Sequence, residues 1–515
     1  GSYCCCYFSS AISGQAISLK YIFSLPKWQK AIFSGILMGI AYQPWHLGWL
    51  AWFALLPLLD VWFTGNAKEN FINSYLFGLT HNIIAVYWIG FNSGASVGVV
   101  FFSLIAAVIY LALFWGAVGL IIGSIENRLS PRIILTPFLV VSMEWLRSFG
   151  PLGFPWINLA LTQSEYIFLT QISEITGPYG VSFWIISINT LVYLGLKKEN
   201  MFKEAMVVAI VLLAGLSIAG WGRIKSIKPT NKTIRIAIVQ PNVDPNSKWE
   251  QKDRIISLMD SLHQAAVNLG PDIVLFPETA VPAYLRLNTR VREMFQSRVD
   301  KTGIPLLTGT IDRKIEDGKR YYYNSAMWLS PDNDYEMYSK VHLVPFAEYD
   351  LLPMLFHPLR WINLNIDRGN FRSGNEYKVF EWDGVKFSNL ICYESSLPKI
   401  VRRFVFKGAE ILMIEANDGW LGDTAGPYQH FELARLRAIE NRVFVLRSAN
   451  SGISGVIRPD GTVQKKVSVG KQAVFIEKIS IGDITGSFYS RYGNVFATFC
   501  FVISFALIML SWKKK

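Results

Sequence analysis

Cysteine and histidine are scarce in this chain of 515 residues, which has five of the first and six of the second. Cys4, Cys5 and Cys6 crowd the beginning, and Cys500 lies in the last apolar run. Between residues 223 and 492 Cys392 stands alone, so that segment can form no internal disulfide. No C-x-x-C pair or histidine-rich spacing is present, so no metal or other cofactor is expected. Charged residues are few, 17% of the chain, and they leave a net charge of +12. No RNA- or DNA-binding motif accompanies that excess, and no nucleic-acid partner is expected. In a membrane protein such an excess reflects orienting lysines and anionic headgroups. The opening Gly1-Ser2, with no methionine, is expected to be a scar, and the Cys4–Cys6 run is assigned no function.

What the chain has in quantity is apolar sequence. It is 51% hydrophobic, with a mean hydropathy of +0.28. A spanning helix needs about 20 apolar residues. Seven candidate spans precede the globular segment, at about 28–43, 46–64, 70–92, 98–124, 131–147, 176–196 and 204–222, and an eighth lies at about 494–512. Lysines and arginines alternate along the short connections. Lys20, Lys27, Lys30, Lys68, Arg128, Arg132, Lys197, Lys198, Lys203 and Lys513 to Lys515 fall on one side, whereas "YQPWHLG" and "FNSGASVG" carry none. Basic residues mark the cytoplasmic side. Both termini are therefore expected to be cytoplasmic. Four units are expected: an N-terminal segment 1–27, seven transmembrane helices over 28–222, an extracytoplasmic domain 223–492, and a last span with its tail over 493–515. An unpaired Cys392 in an oxidising compartment is either buried or at work.

The segment 223–492 mixes strand-like runs, such as "TIRIAIVQPNV" and "GAEILMIEANDG", with helices at about 251–269 and 289–301. That mixture predicts a layered α/β domain. Glu278 follows a buried-looking strand, and alone reads as a helix-start carboxylate. Lys340 lies in "MYSKVHLVPFAEY", eight residues before Glu348, and alone reads as a surface lysine on a strand. Cys392 alone reads as a small buried hydrophobe. Together the three supply what a nucleophilic thiol needs, namely a base and a cation for an oxyanion. His342 and His430 are the nearest histidines, and neither lies in an obvious base motif.

Glu278 in "FPET", Lys340 in "YSKVHLVPFAEY" and Cys392 in "ICYESSLP", in that order, resemble the Glu-Lys-Cys triad of the nitrilase superfamily, and residues 417–461 look like its C-terminal half. "MEWLRSFGPLGFPWINLALTQS" resembles a signature of the apolipoprotein N-acyltransferase family, as does a nitrilase-like domain inserted before a last transmembrane helix. The resemblance implies a multi-span α-helical membrane domain of about eight helices carrying an αββα sandwich. It implies a bacterial inner-membrane enzyme with its catalytic domain facing the periplasm. Its partners would be membrane lipids, a phospholipid acyl donor, typically phosphatidylethanolamine at sn-1, and a diacylated apolipoprotein acceptor. Cys392 would carry the acyl chain as a thioester, with Glu278 as base and acid and Lys340 on the oxyanion, helped by the Tyr393 N–H. The resemblance assigns Glu348 to orienting Lys340 or the amine, and Glu394 and Trp249 to positioning.

Trp420 in "NDGWLG" reads either as a gate or as core. The apolar "LLPMLFHPLRWINL" (351–364) reads either as a loop dipping into the membrane interface or as a packed helix. A membrane-anchored nitrilase-type amidase hydrolysing a C–N bond stays open. So does a transporter with a non-catalytic outer domain, for which His81 and Glu144 are the main intramembrane polar candidates. The charge alternation yields one expected outcome directly. A reporter fused near Gly461 is active only outside the cell membrane and one at the C-terminus only inside; the opposite pattern overturns the orientation.

Overall fold

The computed structural model describes residues 22–125, 129–331, 333–345, 347–349, 371–482 and 486–512. The Cys4–Cys6 run and the 351–364 segment lie outside the described residues.

The described residues before 227 are mainly helical. Among the described residues three are long and apolar enough to cross a membrane: Val97–Ser124, Tyr179–Lys197 and Phe202–Ser226. Lys27–Ile40 has 14 residues, or about 21 Å of rise, short of an apolar core about 30 Å thick. The expected span at 46–64 is not one helix. Gly48–Trp52 forms a 3₁₀ turn, and an α-helix restarts at Leu56–Thr64 with Pro57 in its first turn, where a missing N–H does no harm. The run expected at 70–92 divides likewise into Ala67–Ala85 and a 3₁₀ turn, Tyr87–Phe91. An Asn66–Glu69 capping box starts the longer piece. This helix lies very close to Val97–Ser124. A Cβ at Gly119 would come within 2.4 Å of the Asn70 carbonyl oxygen, so only glycine permits that approach.

Arg132 is not a loop residue but belongs to the Leu129–Leu146 helix. Its guanidinium donates to the carbonyls of Trp62, Gly65 and Ile125, which takes up acceptors at a helix end. Asp60, buried nearby in sequence terms, is met by Lys30 at 2.7 Å and Lys197 at 2.7 Å.

From Pro229 onward the chain builds two six-stranded sheets. Strands are numbered in chain order from β1 (Pro229–Gln240) to β12 (Ala473–Gly482). The first sheet runs β12-β1-β2-β3-β4-β5 and the second β11-β10-β9-β8-β7-β6. Their cores are parallel, β1 with β2 and β3, and β7 with β8 and β9, which requires crossover helices and burial on both faces. The helices Lys252–Val267 and Thr289–Thr302 pack on the first sheet, and Pro398–Phe406 and Ala425–Asn441 on the second. Trp328 of β4 (Lys319–Ser330) meets Phe387 of β7 (Val385–Ile391) at 4.9 Å, which joins the inner faces of the sheets. The result is the layered α/β arrangement that the alternation of strands and helices predicts.

One tie between the helical half and the sandwich is a buried amide. Gln429 Oε1 accepts from the indole N–H groups of Trp88 and Trp156, both at 3.0 Å. Its Nε2 donates to the carbonyls of Gln43 (3.1 Å) and Ala85 (2.9 Å). Arg442 adds a second tie, donating to Glu174 at 2.6 Å and to Gln171 at 2.7 Å. Gln429→Leu keeps the volume and strands two indole donors and two carbonyls. It should destabilise the protein by roughly 4 kcal/mol or more, since each of the four stranded groups costs about 1–3 kcal/mol. Thermal unfolding in detergent measures this, and an unchanged midpoint would remove Gln429 as the tie.

Candidate active site

Cys392 is the first residue after β7 and opens the 3₁₀ turn Cys392–Ser396. Its φ of +50° lies in the left-handed region, uncommon for a side chain with a Cβ. Such strain persists only where the surroundings enforce it, and here they can be named. Glu394 Oε2 accepts from Ile391 N at 2.8 Å, and its Oε1 accepts from Val341 N at 2.7 Å and His342 N at 3.2 Å. The Tyr338 hydroxyl completes the set at 2.8 Å. Glu394 is thus buried and joins the turn after β7 to the turn after β5 (Asp334–Ser339), which carries Lys340. Burial lifts its carboxyl to about 7, against the pull of these donors.

Glu278 stands just beyond β2 (Ile273–Leu275), 7% exposed. The turn is tight. A Cβ on Gly309 would fall 2.3 Å from Thr279 N and 2.7 Å from Glu278 Cα. Asn324 of β4 donates through Nδ2 to both Glu278 and Glu348, each at 2.8 Å. Lys340 Nζ lies 2.9 Å from Glu348 and 3.8 Å from Glu278. Glu348 Oε2 also accepts from Val344 N at 2.7 Å, which fixes it against the lysine.

The charges follow from burial and neighbours. Burial raises the Glu278 carboxyl, and Lys340 opposes part of that rise. The Glu348 charge raises it, and the Asn324 amide that donates to Glu278 at 2.8 Å lowers it. Burial also pushes the Cys392 thiol well up, with the Glu278 charge adding to it and Lys340 opposing. Burial pulls Lys340 down, but Glu348, Glu278 and Cys392 outweigh it, so the ammonium stays charged. The three residues read together from the sequence are together here. The arrangement holds a resting thiol, a buried carboxylate and a charged ammonium, the residue types with which a sulfur nucleophile can be activated and an oxyanion met.

Other residues divide differently. Tyr393 directs its hydroxyl to the Gly153 carbonyl at 3.1 Å, and its ring lies 6.2 Å from that of Trp156 at 12°. The "GFPW" motif of the helical half therefore touches the turn that carries Cys392. Trp249 is 44% exposed and lies 6.3 Å from Tyr284, at the rim and not among the charged groups. Trp420 is half-buried; its carbonyl accepts from Ser93 N at 2.7 Å, in the "FNSG" connection. His342 stacks on Tyr393 at 5.9 Å, and burial lowers its pKa, so its ring is neutral.

Sequence reasoning missed three contributors. Asn324 shows only as a polar residue within an apolar strand pattern. The second is a buried chain behind the thiol. Arg447 donates to Asp418, His430 Nδ1 meets Asp418 at 2.7 Å, and His430 Nε2 meets Ser395 Oγ at 2.8 Å and the Cys392 carbonyl at 3.2 Å. The third is Lys248, whose Nζ donates to the carbonyl of Thr279, next to Glu278, at 3.0 Å. Cys392, Asp418 and His430 each bring one potential metal-ligating atom within 4.8 Å of the others. The donor set does not fit an ion: the Arg447 guanidinium already neutralises Asp418, and both His430 nitrogens are engaged.

Comparison with known proteins gives consistent matches. The carbon-nitrogen hydrolase family profile matches residues 235–487, and the profile of the apolipoprotein N-acyltransferase N-terminal domain matches residues 34–191. The apolipoprotein N-acyltransferase of Geobacter metallireducens is 30% identical over 503 residues, covering 94% of this chain and 95% of its own length. That of Rickettsia prowazekii is 32% identical over 457 residues, 85% and 88% of the two chains. Among solved structures, a nitrilase-superfamily amidase from Nesterenkonia AN1 aligns over 49% of this chain and 92% of its own, at 19% identity and a TM-score of 0.38.

Glu394→Ala would leave the Tyr338 hydroxyl and the N–H groups of Val341, His342 and Ile391 without their acceptor. The expected loss is roughly 3 kcal/mol or more of stability, with Lys340 released from the thiol. Unfolding of the variant followed by tryptophan emission checks the first; wild-type stability would contradict the bracing role.

Proposed function

Because the chain belongs to the apolipoprotein N-acyltransferase family, we propose that it N-acylates lipoproteins by passing an acyl chain through a thioester on Cys392. The observation that carries this reading is the meeting of Glu278, Lys340 and Glu348 around a strained Cys392 whose turn abuts the helical half.

Glu278 takes the thiol proton as sulfur attacks the ester carbonyl of a phospholipid, typically phosphatidylethanolamine at sn-1. Lys340 and the Tyr393 N–H receive the oxyanion. Collapse breaks the ester C–O bond, and Glu278 returns the proton to the departing glycerol oxygen. A lysophospholipid leaves and the thioester remains. The α-amine of a diacylglyceryl-cysteine then attacks the thioester, Glu278 takes its proton, and the C–S bond breaks. The amide is formed and the thiol regains its proton. Glu348 keeps Lys340 aimed at the carbonyl oxygen. Trp249 and Trp420 position the lipid or peptide substrate in this reading.

The membrane setting belongs to the same proposal. The chain crosses a bacterial inner membrane as eight segments, the second of them broken at 53–55, with both termini cytoplasmic. The sandwich, about 223–492, faces the periplasm. Drawing both substrates from a bilayer gives the helical half a purpose, which C–N hydrolysis of a soluble amide would not.

Cys392→Ala should abolish transfer, and intact-mass analysis of the wild type after incubation with phospholipid alone should find the acyl adduct on Cys392. Turnover by the alanine variant would end the proposal. Lys340→Met should slow thioester formation by at least about 10²–10³, as loss of an oxyanion donor does elsewhere. The pH dependence follows from Glu278. It must be ionised to accept a proton, and burial raises its pKa, so activity should be present above that raised value and fall as pH drops through it. The acid limb of kcat/KM should therefore lie above the range of an ordinary carboxylate. Glu278→Gln should be inactive at every pH.

A further inference from the structure

Lys248 is an unusual lysine. It lies in an irregular turn, "PNSKWE", whose residues Asn246, Trp249 and Glu250 are exposed, yet it is itself 4% exposed. A buried ammonium is costly unless it is paired, and among the described residues no carboxylate pairs with it directly. Its Nζ donates to the Thr279 carbonyl at 3.0 Å and reaches the Thr279 hydroxyl at 3.4 Å. Thr279 is the residue after Glu278, and its φ of +45° is again left-handed. On its other side the same turn is pressed against Gly309, whose amide donates to the Pro277 carbonyl at 3.3 Å. Thr279 is thus held from two directions, by an ammonium and by a glycine that leaves it room.

From this geometry we infer that Lys248 is a positioning residue for the acyl-transfer reaction, holding the strained Pro277–Thr279 turn so that the Glu278 carboxylate stays aimed at the Cys392 thiol. The inference rests on the thioester reading above. The charge of Lys248 also reaches Glu278, which is the charged group that opposes the effect of burial on the lysine. Burial lowers Lys248 to about 8, so it is mostly protonated at neutral pH. The turn 244–250 also touches the helical half, through Asn246 Nδ2 and Ser93 Oγ at 3.0 Å. The neighbour of Trp249 is in this way the link between the rim of the site and its base.

The test is the first half-reaction in full-length protein, with phosphatidylethanolamine alone, read as the rate of thioester appearance on Cys392 by intact mass. The wild type serves as the control for the mechanism itself. If it forms no thioester, the function reading fails, and the two failures are separate. Lys248→Met should slow thioester formation at pH 7 by about 10-fold or more, on the scale of a misplaced general base, with the half-saturating phospholipid concentration unchanged. Lys248→Arg, which keeps a charged donor for the Thr279 carbonyl, should restore most of the rate. Its activity should also persist at higher pH than the wild type's, because arginine does not lose its proton there. If Lys248→Met unfolds, the arginine variant and its alkaline limb still decide. A wild-type rate in Lys248→Met overturns the inference, as does a rise in half-saturation matching the loss of rate. An arginine variant that folds but is slow, with the wild type's alkaline limb, also overturns it.

Discussion

The Glu394 carboxylate holds together two turns that no strand pairing connects. β5 belongs to one sheet and β7 to the other, so nothing in either ladder sets the distance between Lys340 and Cys392. Glu394 does so by accepting from the backbone on both sides, Val341 and His342 on one and Ile391 on the other. Backbone acceptors and donors are less adjustable than side chains, so the brace transmits position and not merely attraction. The left-handed Cys392 and the buried ammonium both depend on it. Without it, each would have a cheaper alternative: an ordinary φ for the cysteine, and solvent for the lysine.

Behind the thiol the helical half supplies a second constraint. Glu144 accepts from Leu159 N at 2.6 Å, Arg147 donates to Asn158 at 2.9 Å, and the Tyr42 hydroxyl donates to the Ile157 carbonyl at 2.8 Å. These contacts shape the loop that contains Gly153 and Trp156, and that loop meets Tyr393. Glu144, a candidate transport residue by sequence, is therefore occupied in holding a loop. His81 is packed among the rings of Tyr42, Phe77 and Trp115. Polar residues inside an apolar bundle often mark a pathway; here the contacts of Glu144 and Arg147 lead to the nucleophile.

The sandwich was readable from sequence because apolar runs such as Ile411–Ala416 are stopped by turn residues, and Lys252–Val267 and Thr289–Thr302 each bury one face. Glu278, Lys340 and Cys392 each follow a strand and alone each has a bland reading; only their combination, and the family motifs it resembles, single them out. Asn324, Asp418 and His430 were not, since their partners are distant in the chain and a polar residue in a strand has many bland uses. Lys248 escaped for the same reason. Its burial depends on Thr279, 31 residues on. The breaks at 53–55 and near Val86 were hidden by uniform hydropathy, which reports what a segment dissolves in and not where its hydrogen-bond ladder stops.

Gln429 satisfies two indoles and two carbonyls of the helical half from a helix of the sandwich, and no atom of that amide is left over. The two halves thereby share one lock whose key and wards are encoded almost 400 residues apart, at Gln43 and Gln429. An inheritance consequence follows. A recombination that joins the helical half of one relative to the sandwich of another separates the glutamine from its tryptophans, unless both parents carry the same set. The boundary that looks most natural for shuffling modules, the connection after Phe202–Ser226, is one that such a join can cross only where the two sets match.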